Sequence, residues 1–483
     1  MSQNGENFYI TTTLPYINSD PHIGFAAEII KADVIARYHR QRGQQVFFNT
    51  GTDEHGLKIF QKAQELNLDV QDFCDQYSAK FLPLREALNL SYNKFIRTTD
   101  SNHKQAAQEF WRRCQANDDI YKKLYKVKYC VGCEMEKTDS ELINGRCPLH
   151  AGRELEIIEE ENYFFRFSKY QAPLIKLYEN NPDFVLPPSR LKEIKSFVSA
   201  GLQDFSISRV KEKMPHGVPV PGDDNQVMYV WFDALVNYIS TLGWPNDENG
   251  DFSRYWPGTQ VCGKDNLRPQ AAMWQAMLMS VGVKPSQQIL VFGFLTANGQ
   301  KISKSTGNTV DPYELTAKYG SDALRYYLLA EIPPFEDGDY SENKFREKYN
   351  SDLANGLGNL VARVSNLLEK NLIETNYQVD LDSKSILSTK EAVEEAVSGG
   401  RFNEALQAIW DKIRVCDSDL SAKAPWKMSD KSQIAAVIKP LGHDILNLAY
   451  LLEPFLPQIS EQIITQFKEP QVKKGVSLFP RLV

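Results

Sequence analysis

Residues 8–43 limit the possible folds more than any other stretch of this chain. Positions 8–13, FYITTT, are aromatic or β-branched and read as a buried strand. Asp20 followed by Pro21 predicts a helix start: an N-cap side chain, then proline at the first helical position. From Ile23 the apolar residues Ile23, Ala26, Ala27, Ile30, Val34 and Ile35 recur at helical spacing, and the pattern stops near Gly43. Positions 45–49 return to strand composition. Strand, helix, strand is the unit from which parallel sheets are wound. It puts His22 in the first turn of a helix leaving the sheet, where free N–H groups and a partial positive charge suit phosphate. His22 would add a donor, and Gly24 would let a nucleotide approach the backbone closely.

The alternation continues to about Tyr327. A helical stretch at 57–87 is followed by a turn-rich region at 121–152 and a mixed one at 162–218. Strands return at 227–231 and 288–294, the second after a helix at 269–281, and beyond the acidic link PPFEDGDYSE the periodicity is helical. The expected fold class is α/β: a Rossmann-like parallel-sheet domain with a connective insertion, followed by an α-helical bundle. The expected boundaries are 1–117 and 227–325 for the halves of the sheet domain, 118–226 for the insertion, 326–350 for a linker and 351–483 for the bundle.

A chain of 483 residues has ample material for such domains. Its N-terminus lacks a basic-then-apolar leader and no apolar run could span a bilayer, so a cytoplasmic protein without membrane partners is expected. A net charge of −7 argues against nonspecific nucleic-acid coating and leaves room for a local basic path.

Seven cysteines are too few for a disulfide scaffold, and three of them cluster. Cys130 and Cys133 are separated by two residues, and so are Cys147 and His150. Two such knuckles match the closed tetrahedral set of one structural Zn2+, with no position left for a reacting water. A second candidate is KISKSTGN at 301–308, after an apolar strand and a glycine turn. Its cations, Lys301 and Lys304, flanked by Ser303 and Ser305, could meet charge developing on a leaving pyrophosphate. Neither a Walker lysine loop nor a GxGxxG motif is present.

Taken in order, the motifs TTTLPYINSDPHIG, FFNTGTDEHG, CVGC…CPLH, NYFFR, SISR, YVWFDAL, GKD, GFL, KISKSTGN, DALRYYLL, GNLVAR and APW form one collection. The chain resembles the class I aminoacyl-tRNA synthetases, and within them the methionyl-tRNA synthetase family of bacterial type with one zinc knuckle. The likeness runs from about Phe8 to Phe467. It implies an adenylating ligase that uses ATP with Mg2+, methionine and tRNA(Met), the initiator included. It implies that His22, Gly24, Lys301 and Lys304 are catalytic. By the same resemblance Thr13, Leu14, Asp53, Trp231, Ala234, Tyr238 and Gln270 would hold methionine, with Asp53 on the ammonium. Glu28, Gly263, Asp265 and Ser303 would join the catalytic residues around ATP. In the bundle, Asn359, Arg363, Pro425 and Trp426 would read the CAU anticodon, with Trp426 stacking on an unstacked base.

Three positions depart from the family pattern, one of them, Cys262 in place of the usual apolar residue before GKD, a packing change only. Phe25 stands where a second histidine is usual; one lost hydrogen bond to ATP is worth about 1–2 kcal/mol, roughly ten-fold in rate. Gln270 stands where a histidine is common near the substrate side chain, which bears on methionine selectivity. A noncatalytic RNA-binding paralogue would explain Phe25 and Gln270 as decay, but the intact Asp53, Asp265, Lys301 and Lys304 speak against it. A nucleotidyltransferase of the same ancestral fold would not need GNLVAR and APW. The chain ends soon after the bundle, and a monomer is expected.

Overall fold

The run at 8–13 becomes the strand Asn7–Thr12, with Tyr9, Ile10, Thr11 and Thr12 enclosed. The computed structural model describes residues 7–133, 135–137, 141–302 and 308–482, with Tyr125, Val127, Glu136, Ile158 and Lys301 described by their backbone alone. Asn7–Thr12 is an inner strand of a six-stranded parallel sheet. The spatial order is Lys94–Arg97, Gln45–Thr52, Asn7–Thr12, Thr259–Gly263, Gln288–Phe292, Val185–Leu186. Between Asn7–Thr12 and Thr259–Gly263 the direction of winding reverses. The carboxyl ends of strands flanking such a switch point open a crevice, where α/β sheets bind ligands. The edge strand Val185–Leu186 comes from within the segment expected as an insertion.

The first helix is Ile23–Gln41, and its N-cap is His22, not Asp20. His22 is extended (φ −134°, ψ 166°), and its Nδ1 accepts the Gly24 N–H at 3.1 Å. An imidazole nitrogen can thus do the work of a capping oxygen. Asp20, released from capping, pairs with Lys80 at 2.7 Å.

Three other expectations change in detail. The stretch 57–87 breaks into Leu57–Glu65, Val70–Ser78 and Leu84–Ala87, because Asn67 turns left-handed (φ 53°) and Asp69 caps the next helix. The region at 121–152 is not uniformly turn-rich: Ile120–Cys130 pairs antiparallel with Glu156–Phe165. That ladder carries cross-strand charge pairs such as Lys126 with Glu159 at 2.8 Å, so it lacks the apolar alternation that announces a strand. The strand expected at 227–231 ends at Met228, and Trp231 and Ala234 lie on the helix Val230–Leu235.

Helices Asn359–Lys370, Leu387–Ser398, Phe402–Lys423, Lys431–Leu452 and Pro457–Lys468 form the expected bundle. It is anchored to the sheet domain through Arg325, fully buried on the helix Ser321–Ala330. The guanidinium bonds Asp33 Oδ2 at 2.8 Å and the carbonyls of Phe455 (2.7 Å) and Pro454 (3.0 Å). Asp33 also accepts Arg37 at 2.8 Å and the Ser91 N–H at 2.7 Å, so the buried charges are paired and hydrogen-bonded. Among the described residues no helix is long and apolar enough to cross a membrane.

Candidate active site

The first helix begins at the switch point, and both ends of the lysine–serine loop reach its first turn. Entering the loop, Ile302 Cδ1 lies 4.0 Å from where a Gly24 Cβ would stand; leaving it, Val310 O accepts the Ile23 N–H at 3.0 Å. A Cβ on Gly24 would also come within 3.0 Å of the His22 ring, so glycine lets that ring fold over the turn. Ser303 and Lys304 lie outside the described residues. Of Lys301 the backbone is described, paired with Thr296.

The N–H groups of this turn are not free, contrary to expectation. Ile23 donates to Val310, Gly24 to His22 Nδ1, and Phe25 and Ala26 to His22 O at 3.1 and 3.2 Å. Burial lowers the His22 pKa, so the ring is neutral. With Nδ1 accepting, the proton sits on Nε2, and the turn presents one imidazole N–H donor on a positive helix end. Phe25 meets Phe81 edge-on at 5.7 Å and packs against the core.

Glu28, one turn further, accepts the Thr13 N–H at 3.1 Å and the Thr13 hydroxyl on the same oxygen. Its other oxygen, Oε2, lies 4.0 Å from where a Gly263 Cβ would stand, and Asp265 Oδ1 lies 3.0 Å from that point. Burial raises the Glu28 pKa to about 7, and the nearby Asp265 adds to the rise. Thr13, Glu28, Gly263 and Asp265 therefore converge across the switch point. Phe294, 40% exposed, stands 3.6 Å from the same Gly263 position and offers an open aromatic face.

The second wall lies beside it. Leu14 follows the first strand, and Asp53 donates its N–H to Pro15 O at 3.0 Å. Tyr238 is buried, with Tyr9 donating to its carbonyl at 2.8 Å and Gln270 Nε2 bonding its hydroxyl. Trp274 meets Tyr238 edge-on at 5.9 Å. Gln270 Oε1, Trp274 Nε1 and Trp231 Nε1 are buried without a hydrogen-bond partner. The expected residues on this side thus fall on the loop after Gln45–Thr52, the short helices at 230–240 and the turn Pro269–Met273.

Two residues that motif reading passed over tie these segments together. His55 Nδ1 is 2.8 Å from Asp233 Oδ2, both enclosed. Burial holds the His55 pKa down at about 3 and pushes Asp233 well up. A signal was present in WFDAL, where Asp233 interrupts an otherwise apolar run; DEHG, polar throughout, gives no such sign of burial.

Cys130, Cys133, Cys147 and His150 form the one metal-ligating cluster found among the described residues, with their ligand atoms within 4.8 Å of one another. Cys133 Sγ is 3.5 Å from Cys147 Sγ and 3.2 Å from His150 Nδ1, spacings suited to the edges of a small tetrahedron. A Cβ on Gly132 would strike the His150 ring at 2.4 Å, so glycine makes the cradle in which that ring lies. The donor set fits a bound metal ion.

In the bundle, Arg363 lies one helical turn after Asn359, and its guanidinium is 5.3 Å from the Trp426 ring. It also pairs with Asp417 and bonds Ser421 Oγ at 3.2 Å. Pro425 is buried, and Trp426 is 50% exposed beyond Ala424, whose φ of 42° turns the chain.

The family model for class I tRNA synthetases (M) matches residues 8–155 and 141–365. A methionine–tRNA ligase of Thermosynechococcus vestitus is 43% identical over 95% of this chain and 90% of its own length. That of Thermotoga maritima is 41% identical over 97% and 76%. Mycobacterium tuberculosis methionyl-tRNA synthetase in complex with methionyl-adenylate superposes with a TM-score of 0.92 at 36% identity, covering 99% of this chain and all of that one. The apo form from the same organism gives 0.84 at 33% identity, covering 99% of this chain and 98% of that one.

Proposed function

The chain belongs to the methionyl-tRNA synthetase family of class I tRNA synthetases, and from that premise we propose how its own residues divide the work. It is a catalytic methionine–tRNA ligase rather than a noncatalytic RNA-binding paralogue. The observation that carries the division is the meeting of the two loop ends with the His22–Gly24 turn at the switch point. The described loop ends, Ile302 and Val310, meet the turn that carries the neutral N–H donor of His22.

Methionine lies with its ammonium on Asp53 and its thioether against Leu14, Trp231, Ala234, Tyr238 and Gln270, where aromatic faces suit a polarisable sulfur. ATP enters as its Mg2+ complex along the first helix. Its ribose meets Asp265 beside Gly263 and Glu28, and its phosphates meet His22 Nε2–H, Ser303, Lys301 and Lys304. A methionine carboxylate oxygen attacks the α-phosphorus, the bond to the bridging oxygen breaks, and pyrophosphate leaves with the electron pair. The terminal adenosine hydroxyl of the tRNA then attacks the methionyl carbonyl, and AMP departs. These residues act by positioning and by meeting developing charge.

Cys130, Cys133, Cys147 and His150 hold one Zn2+, which cross-links the tip of the insertion and takes no part in the reaction. The domain boundaries at 117, 226, 325 and 350 separate two catalytic halves, insertion, linker and bundle. Asn359, Arg363, Pro425 and Trp426 read the CAU anticodon of tRNA(Met), the initiator included. An aminoacylation assay tests it: tRNA with a CAU anticodon should accept methionine, and changing any base of that triplet should lower kcat/KM by about ten-fold or more. Equal charging of the altered tRNAs would remove the anticodon assignment.

A further inference from the structure

His55 holds two parts of the site at once. Its backbone N–H lies 3.4 Å from Asp53 Oδ1, and its Nδ1 lies 2.8 Å from Asp233 Oδ2. The two side chains are 1% and 0% exposed, and 178 residues separate them in sequence. Asp233 falls between Trp231 and Ala234 on the helix Val230–Leu235. One residue therefore touches the carboxylate at one end of the amino-acid pocket and the helix that walls the other.

We propose that the His55–Asp233 hydrogen bond is a length gauge for the amino-acid substrate, fixing the separation between the ammonium seat at Asp53 and the side-chain wall at Trp231 and Ala234. The proposal rests on the assignment of those residues to the methionine pocket. A pocket that only encloses volume discriminates weakly between side chains differing by one methylene. A fixed span between two anchored ends penalises both longer and shorter substrates.

The surroundings stiffen this bond. The His55 ring meets that of His216 edge-on at 5.1 Å, and His216 Nε2 donates to Glu54 O at 2.8 Å. The pair is enclosed, where a hydrogen bond is electrostatically stronger than in water. Asp233 Oδ1 is buried without a partner, so the carboxylate hangs on its other oxygen. The Tyr9–Tyr238 and Asn49–Asn237 bonds engage the following turn, Asn237 Nδ2 reaches back to Ala234 O at 2.7 Å and His103 bonds the Asp233 backbone, while the Asp233 side chain is tied to His55.

The test is ATP–pyrophosphate exchange with methionine, its one-methylene-longer analogue ethionine and the shorter thioether S-methylcysteine. His55→Leu should cut the preference for methionine over both analogues by about ten-fold, while KM for ATP stays within about two-fold. His55→Gln, which keeps an N–H toward Asp233, should retain most of the preference. Asp233→Asn, nearly isosteric, weakens the bond from the other side and should shift the ratios in the same direction if His55→Leu does not fold. Equal losses for all three amino acids, or an equal rise in KM for ATP, would overturn the gauge. Asp53→Asn separates the two assignments. If it raises KM for methionine while the His55 ratios stay fixed, only the gauge falls; if it leaves that KM unchanged, the seat falls and the gauge with it.

Discussion

Thr13 gives both its backbone N–H and its hydroxyl to one oxygen of Glu28, fifteen residues further on. This pair joins the end of the first strand to the first helix and turns the other carboxylate oxygen toward Gly263 and Asp265. Burial, helped by nearby Asp265 and opposed by the two bonds from Thr13, holds the Glu28 proton to a pH of about 7, against about 4.5 for an exposed glutamate. Between those values the unfolded chain has released a proton that the folded chain keeps, so this group's contribution to stability falls as pH rises from 4.5 to 7. Glu28→Gln cannot ionise. Its stability relative to wild type should rise by about 3 kcal/mol between pH 4.5 and 8, read from urea unfolding at the two values. A constant difference would show that Glu28 does not titrate in that window.

Gly24→Ala tests the first turn. The added Cβ would stand 3.0 Å from the His22 ring, and the ring or the turn must move. Single-turnover formation of adenylate should slow by about ten-fold or more, since small displacements at a reacting centre are costly. KM for methionine should hardly change, because Asp53 and Tyr238 do not touch this turn.

Removal of metal from the knuckle should be local. Cys147→Ser should lose the bound ion, measured by atomic emission, and expose 131–155 to protease, because the small folded tip depends on its cross-link. Adenylate formation should persist, with KM for ATP within about two-fold of wild type. Loss of adenylation in protein whose sheet domain remains folded would contradict a purely structural ion.

Trp426→Ala should act on RNA alone. Base stacking on an aromatic ring is worth about 1–3 kcal/mol, so kcat/KM for tRNA should fall by roughly ten- to hundred-fold. Pyrophosphate exchange without tRNA should stay at the wild-type level. Arg363 is held by Asp417 and stacked near Trp426, so Asp417→Asn should loosen that hold and change the salt dependence of tRNA binding.

Arg325→Met should destabilise the protein by about 3–5 kcal/mol, because Asp33 loses one of its two arginines and the carbonyls of Pro454 and Phe455 lose their donor. Denaturant unfolding checks this, with the bundle expected to loosen from the sheet domain first.

Much of this was written locally in the sequence. The central strand, the first helix, the knuckle and the bundle each carry their own periodicity or ligand spacing, and each is found where it was expected. Other features depended on distant partners. His22 became the cap because its ring could fold over Gly24, which the Asp20–Pro21 signal does not reveal. The N–H groups of the first turn were consumed by Val310 and by His22 itself, and Val310 lies nearly 300 residues away in the chain. Trp231 moved from strand to helix because its segment packs under Asn49 and His55 rather than extending the sheet. The His55–Asp233 pair is visible only once two titratable residues far apart in sequence are seen to be buried together.

Methionine-dependent ATP–pyrophosphate exchange tests the central claim most directly, using purified, metal-loaded protein and methionine, homocysteine, leucine and cysteine in parallel. Exchange with methionine well above the other three, abolished or reduced by at least about ten-fold in Asp53→Ala, is the predicted result. Folded protein that exchanges with none of them, or equally with all, would contradict the account.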